Sequence, residues 1–229
     1  MVLQGILGGF RVTEGSLILA MLHGIAGQVT LGAGVALATC LYLVNRPMQT
    51  GPVHGDGRKL KSLAAGLVHA LLLQLCLGAA FRHLRLDGST GAMHALWAHM
   101  GFSILVVVIA TLAATFARSV SRQRGDATLG RLGAAMIACV ALQFAVGWLA
   151  FFFVLTGHSK NQEILQPGQL ASTQIAIPAY EILTRTLHQA NGALLLGVAS
   201  ATYVMAIFNL RRGKDPKNHQ VIPAAAQAL

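Results

Sequence analysis

The sequence predicts an all-α integral membrane protein, a polytopic bundle of about five transmembrane helices built from duplicated helix pairs. Of its 229 residues, 55% are hydrophobic and only 10% are charged, which is not the composition of a soluble domain. The apolar runs are also long, and a helix needs roughly 20 apolar residues to cross a bilayer. The five predicted spans cover residues 16–43, 62–82, 93–117, 132–156 and 182–210.

Residues 1–10 form a shorter apolar segment that precedes the first span. The segment is too short to cross a membrane. It has neither the charged n-region nor the cleavage site of a signal peptide. We therefore interpret it as the end of a helix.

The net charge of +10 reflects membrane topology and not nucleic-acid binding. If the spans alternate in direction, the loops at 44–61 and 118–131 share one side of the membrane with the C-terminal tail. Twelve Lys and Arg residues then lie on that side and five on the other. Under the positive-inside rule the richer side, with the C terminus, is cytoplasmic. We expect an integral protein of a bacterial inner (plasma) membrane, surrounded by lipid. The twelve are Arg46, Arg58, Lys59, Lys61, Arg118, Arg122, Arg124, Arg131, Arg211, Arg212, Lys214 and Lys217.

Three glutamines recur at a nearly constant interval and each has a glycine four residues later. The segments are 4–8, 74–78 and 143–147, and their glutamines are 70 and 69 residues apart. Each segment is followed by a loop and then by a helix that carries a histidine near its start. Regular self-similarity of this kind indicates a repeated helix pair.

The histidines of these following helices lie at similar depths. His23 and His188 each precede the first arginine at the cytoplasmic end of their helix by 23 residues. His94 and His99 precede Arg118 by 24 and 19 residues. Imidazoles at one depth on helices that run the same way can bind a haem from two sides inside a bundle.

His188 lies about two turns inside the apolar stretch of residues 182–210. A histidine at that depth is costly in hydrocarbon and needs a polar partner, a cavity or a metal. Gly192 lies four residues later on the same helix face, and it leaves room for a bulky group beside the imidazole. A haem satisfies this pattern, and so does a close helix crossing with a hydrogen-bonded histidine.

The second helix offers two candidate ligands. His94 and His99 are five residues apart, which is about 140° around a helix, so they face different ways. We favour His99 because small residues and a continuous apolar run follow it. His94 stays an alternative, although its position beside Trp97 is ordinary for a membrane interface.

Two arginines are candidates for binding the propionates of a haem. Arg185 lies three residues before His188, and Arg82 ends a neighbouring helix on the same side. Arginine suits bidentate pairing with a carboxylate. The alternative is that both side chains extend to lipid head groups.

Four motifs, taken together and in order, resemble the haem A synthase family of cytochrome oxidase assembly proteins. They are Gln-Gly-Ile-Leu-Gly-Gly-Phe-Arg at 4–11, His-Gly-Ile-Ala-Gly-Gln at 23–28, Gln74…Gly78…Arg82-His83, and Leu-His-Gln-Ala-Asn-Gly at 187–192. The resemblance covers nearly the whole chain, but it matches only the later five or so of that family's eight helices.

The resemblance implies a function and a set of ligands. The family consists of two similar four-helix bundles, of which one holds a substrate haem o whose ring methyl is oxidised to the formyl of haem A. The other bundle holds a haem b that carries electrons. Residues 1–43 would then be a remnant of the first bundle, with His23 as one haem ligand. Residues 62–210 would be the second bundle, with haem b between His188 and His99 or His94, and residues 211–229 a cytoplasmic tail.

The chain departs from the family at its start. The family's first two helices carry a Glu-His-x-His-Arg-like motif, which has no counterpart here. The resemblance therefore predicts either a truncated product or a separate chain that supplies the missing helices, and no synthesis of haem A by this chain unaided. Other cytochrome oxidase assembly factors are expected partners.

Three other functions fit parts of the same pattern. A b-type cytochrome that carries electrons needs the histidine pair but no substrate-haem pocket. A non-catalytic haem carrier or assembly subunit binds haem without redox turnover. A small-residue helical bundle with incidental histidines binds no haem at all.

Overall fold

The computed structural model describes residues 2–45, 55–86, 89–156 and 178–212. Every element within these ranges is an α-helix, and five of the helices are long and apolar enough to cross a membrane. The predicted all-α polytopic membrane bundle is thereby confirmed. The helices are α1 (Val2–Thr13), α2 (Leu17–Val44), α3 (Gly55–Leu86), α4 (Gly91–Arg124), α5 (Ala127–Leu155) and α6 (Ala179–Arg212).

Helix α3 extends beyond its predicted span into residues that the sequence places in a loop. The predicted span begins at residue 62, whereas α3 begins at Gly55 and includes Arg58, Lys59 and Lys61. An apolar run marks only the part of a helix that lies in hydrocarbon, and the hydrogen-bonded backbone continues past it. We expect a long external loop at residues 157–179; residues 157–177 of it, and the tail from residue 213, lie outside the described residues.

Helices α3 to α6 form a closed four-helix arrangement. Each packs against the next, and α6 packs against α3. Leu67, Ala110, Met136 and Leu195, one from each helix, are fully buried between them. Buried alanines on α4 allow the neighbouring backbones to approach closely, as is usual between membrane helices. Helix α2 packs on α6 and α3, and α1 packs on α2. That this division reflects two duplicated bundles stays a prediction.

A tight turn joins α4 to α5. Gly125 adopts a left-handed conformation with φ of 68° at the end of α4, which a glycine reaches without strain. The carboxylate of the buried Asp126 then accepts hydrogen bonds from the backbone N–H groups of Thr128 and Leu129, at 3.1 and 3.3 Å. This N-cap begins α5 at once, so the two helices lie antiparallel.

The two ends of the bundle differ in chemistry. We call the end where α1, α3 and α5 finish and α2, α4 and α6 begin the histidine end. The opposite end, where α2, α4 and α6 finish, is the basic end. Its helices α3 and α4 are joined by Asp56, whose carboxylate accepts hydrogen bonds from Ser119 at 2.8 Å and Gln123 at 3.1 Å.

Candidate functional site

Three histidines lie at similar depths at the histidine end, as the sequence predicts. His23 is the seventh residue of α2, His99 the ninth of α4 and His188 the tenth of α6. All three side chains are partly buried. Each ring faces the helix that precedes its own, so the three sites repeat one arrangement.

Each imidazole ring lies directly on a glycine of the preceding helix. A β-carbon built on that glycine would come so close to the ring carbon Cε1 that the ring would have to shift. The three glycines therefore allow the rings to lie this close to the neighbouring backbone. The pairs are His23 with Gly8, His99 with Gly78 and His188 with Gly147, and the built distances are 3.0, 3.0 and 3.1 Å.

The glutamine four residues before each glycine lies on the same helix face and contacts the same histidine. In the first two pairs its amide nitrogen donates to the histidine's backbone carbonyl, at 2.9 Å from Gln4 to His23 and 2.8 Å from Gln74 to His99. The recurring glutamine and glycine of the sequence thus contact the same histidine. We call this glutamine and glycine together a histidine seat.

His99 is bound to Gln74 a second time, through its ring. Its Nδ1 lies 3.1 Å from the backbone carbonyl oxygen of Gln74. Because a carbonyl can only accept, Nδ1 carries the proton and donates. Nε2 of the neutral ring is then left with its lone pair, which is the form that binds a metal.

The third pair departs from this arrangement. The amide nitrogen of Gln143 lies 3.3 Å from Nδ1 and 3.2 Å from Nε2 of His188, and not on the backbone carbonyl. The amide oxygen of Gln143 accepts from Nδ2 of Asn191 at 2.8 Å. The same Nδ2 donates to the backbone carbonyl of Cys139, also at 2.8 Å. Asn191 is buried, with 8% of its surface exposed.

The sequence suggests that Gly192 leaves room for a bulky group beside His188. In the structure the side chain of Gln143 lies in that space. A β-carbon on Gly192 would lie 3.3 Å from Nε2 of Gln143, so this glycine makes room for the Gln143 amide. Gly27 does the same for Gln4, at 3.1 Å. Gly192 therefore gives no independent support to a macrocycle beside the ring.

His99 and His188 are brought together across the bundle. Their ring centres are 6.2 Å apart and the ring planes are inclined by 67°. A metal–imidazole bond is about 2.0–2.1 Å long, so two rings that bind one metal ion from opposite sides have their centres roughly 6–6.5 Å apart. The observed separation fits such a pair, and among the described residues no hydrogen bond is made to Nε2 of His99.

The donor set distinguishes between kinds of metal. Within the described part of the chain, no three residues among His, Cys, Asp and Glu come together as a metal site. Two imidazoles alone leave a bare zinc ion two ligands short of a tetrahedron. A metal that brings a macrocycle needs only two axial ligands from the protein, so the pair fits a haem better than a free ion.

The other candidate histidines lie elsewhere. His94 is exposed on α4, and the ring contact with His188 is made by His99. His23 is seated on α1, and its buried Nδ1 has no hydrogen-bond partner among the described residues.

The two candidate arginines differ in their surroundings. Arg185 forms an ion pair with Glu181, one turn earlier on α6; 45% of the arginine side chain is exposed, against 4% for the carboxylate. A buried carboxylate needs such a partner, and sequence reasoning missed Glu181. Arg82 is exposed on the last turns of α3, without a described carboxylate partner.

No protein-family model, curated protein or solved structure matches the chain. The chain's own residues therefore carry the functional proposal.

Proposed function

We propose that the chain is a haem-binding membrane oxidoreductase of the haem A synthase type, in which His99 and His188 bind haem b. The observation that carries this proposal is the pair of imidazole rings 6.2 Å apart on facing helices. The matching depth of the two histidines supports it, and so does Nε2 of His99, which has no hydrogen bond among the described residues. Bound there, haem b supplies one-electron redox chemistry.

Neighbouring residues orient His99 and His188 so that they could bind a haem. The bond from His99 Nδ1 to the Gln74 carbonyl orients the ring and fixes its tautomer, as is usual for a metal-binding histidine. Gly78 and Gly147 let both rings lie against the backbone of α3 and α5. The apolar core that begins at Leu71 and Val140 excludes water on the side towards the basic end.

His23 is the proposed ligand of the substrate haem o, whose methyl is oxidised to formyl. It has the same glycine seat and the same glutamine bond as His99. The chemical resemblance of the two seats supports a ligand role for His23. The sequence motifs at 4–11 and 23–28 support the haem A synthase assignment.

We further propose a bacterial plasma membrane location with the basic end in the cytoplasm. The arginines and lysines concentrated at that end support this orientation. Arg185 and Arg82 at the histidine end would then face the opposite side and are the proposed partners of haem propionates.

A b-type cytochrome that only carries electrons is the second candidate. The observation that favours it is that, in the described part of the chain, a single ring contact joins two histidines. One such pair is all that an electron carrier requires.

The first test is spectroscopic. The chain is purified in mild detergent after expression with added haem precursor, and oxidised and dithionite-reduced spectra are recorded. We expect a low-spin haem b spectrum that is lost in both His188→Ala and His99→Ala and kept in His94→Ala, the control on the same helix. A wild-type chain without haem, or a low-spin spectrum that survives His188→Ala, would overturn the proposal.

One further variant separates the two candidates. In an oxidase of haem o, His23→Ala removes the formation of haem A in membranes of the native host, where a partner chain is present, and leaves the haem b spectrum intact. In an electron carrier it changes neither haem content nor electron transfer.

A further inference from the structure

A cleft opens between α3 and α4 at the basic end, far along both helices from the histidines. Its volume is about 410 Å³, and it is lined by Arg58, Lys59, Ser62, Leu63 and Phe116. The first three side chains supply two positive charges and a hydroxyl group, and the last two are apolar. The cleft therefore combines groups that bind an anion with groups that contact hydrocarbon.

The two cations of the cleft are exposed, and among the described residues no ion pair joins them to a carboxylate. Nζ of Lys59 lies 5.4 Å from the centre of the Phe116 ring, a favourable position for an ammonium group. Asp56 is close along the helix, but its carboxylate is turned to α4, where it accepts from Ser119 and Gln123. The start of α3 adds the positive end of a helix dipole. An anion in the cleft is therefore attracted by charges that the protein leaves unpaired.

The cleft lies at the depth of lipid head groups. The apolar run of α3 begins at residue 62 and that of α4 ends at residue 117, so the cations lie just outside the hydrocarbon and the apolar wall lies at its edge. About one turn deeper, Gly66 on α3 and Leu112 on α4 are exposed. Nothing lies within 4 Å of a β-carbon built on Gly66. An acyl chain can lie along this surface below a head group that occupies the cleft.

We propose that this cleft binds the head group of an anionic phospholipid, whose phosphate is held by Arg58, Lys59 and Ser62. Guanidinium, ammonium and hydroxyl groups all donate hydrogen bonds to phosphate oxygens. Basic pockets between membrane helices bind anionic head groups in the same way. A free phosphate has the same charge chemistry, but it leaves the apolar wall and the surface below it uncovered. The apolar continuation of the cleft therefore favours the lipid.

The test is a lipid titration of the full chain in non-ionic detergent, with bound lipids counted by native mass spectrometry. The two probes are dioleoyl phosphatidylglycerol, which is anionic, and dioleoyl phosphatidylcholine, which is zwitterionic. One basic residue near the surface favours an anionic lipid by roughly fivefold, so two favour it by roughly 25-fold. We expect the first phosphatidylglycerol to bind more tightly than phosphatidylcholine by about that factor. The double variant Arg58→Gln with Lys59→Gln loses most of this preference.

The matched control is the double variant Lys61→Gln with Arg122→Gln. It removes the same charge from the same end of the bundle, at two exposed residues that do not line the cleft. At physiological salt, charges farther apart than about 8 Å are largely screened, so this variant keeps the preference of the wild type. All four residues are exposed, so both double variants should melt at the wild-type temperature. If the Arg58 and Lys59 double variant melts early, Lys59→Gln is compared with Lys59→Arg, which keeps the charge and the preference.

Inorganic phosphate separates a lipid site from a site for a free anion. Phosphate at the concentration of the lipid should not displace phosphatidylglycerol, because it makes no apolar contacts. Displacement at that concentration would assign the cleft to a free anion and would overturn the proposal. Equal binding of the two lipids by the wild type would overturn it too, and so would an equal loss of preference in both double variants. None of these outcomes depends on whether the chain binds haem.

Discussion

Three glycines hold the imidazole rings of the histidine end against neighbouring helices. Each glycine stands where a larger residue would push the ring away. The change in stability when such a glycine is replaced by a larger residue can be measured at one of the three. His99 is the best choice because its ring is held from a second side, by the hydrogen bond to the Gln74 carbonyl.

We expect Gly78→Ala to weaken both the bundle and its binding of hemin. The added carbon would lie 3.0 Å from Cε1 and 3.2 Å from Nδ1 of His99. The ring must shift, and the bond to Gln74 lengthens. Overpacking of this kind costs about 1–3 kcal/mol, which thermal unfolding in detergent measures.

Gly66→Ala, on the same helix, is the control for that variant. Nothing lies within 4 Å of a β-carbon at Gly66, and alanine favours a helix over glycine by about 1 kcal/mol. Its melting temperature should be equal to or above that of the wild type. Equal melting of the two variants would show that the ring does not press on Gly78.

For single residues, the sequence shows the repeated spacing of glutamine and glycine. It does not show which side chains of other helices contact them. The spacing of Gln74 and Gly78 repeats at Gln143 and Gly147, so their shared helix face is predictable. Which ring lies on each glycine depends on how two helices align, and spacing within one helix does not determine that. Gly192 illustrates the limit, because its open side faces the Gln143 amide from another helix.

The turn from α4 to α5 is capped by the buried side chain of Asp126. We therefore expect Asp126→Ala to destabilise the bundle. The variant removes the acceptor for the backbone N–H groups of Thr128 and Leu129. Loss of an N-cap side chain costs about 1 kcal/mol, within a range of roughly 0.5–2. The measurement is again thermal unfolding in detergent.

Asp126→Asn is its matched control, because asparagine keeps the oxygen that accepts these bonds and is an equally good N-cap. Its melting temperature should stay close to that of the wild type. If Asp126→Asn melts as early as Asp126→Ala, the negative charge and not the cap stabilises the turn.

The number and order of the helices were predictable, whereas several of their ends were not. Hydropathy locates the part of each helix that lies in hydrocarbon. Helix α3 continues from Gly55 through charged residues to Leu86, and no apolar pattern marks those turns. The α4–α5 turn is different, because Gly125 and Asp126 are recognisable helix-ending and helix-capping residues.

Across the whole molecule, the depth of the histidines along their helices was predictable from the sequence. Which helices pack against each other was not. Counting residues to the basic end places His23 and His188 at one level, and the structure has both near the starts of their helices. Five helices of similar apolarity can be packed in several orders. The contact between α6 and α3 that closes the bundle, and with it the meeting of His99 and His188, follows from side-chain packing that hydropathy does not describe.

The orientation of the chain in the membrane is set by its charge distribution and can be measured by labelling. Two exposed residues flank α2, Glu14 in the turn before it at the histidine end and Asn45 at its C-cap at the basic end. In a background with the three native cysteines replaced by alanine, each is changed to cysteine. A maleimide that cannot cross membranes should label Glu14→Cys in intact spheroplasts and Asn45→Cys only after permeabilisation.

The two sites form a matched pair because they flank the same helix, and changing them leaves every lysine and arginine in place. Twelve basic residues on one side against five on the other set the expected direction, since retention of Lys and Arg in the cytoplasm fixes membrane topology. Labelling in the reverse order would place the histidine end in the cytoplasm. Arg185 and Arg82 would then face the cytoplasm, and the proposed orientation of the haem site would be wrong even if the histidine pair binds haem.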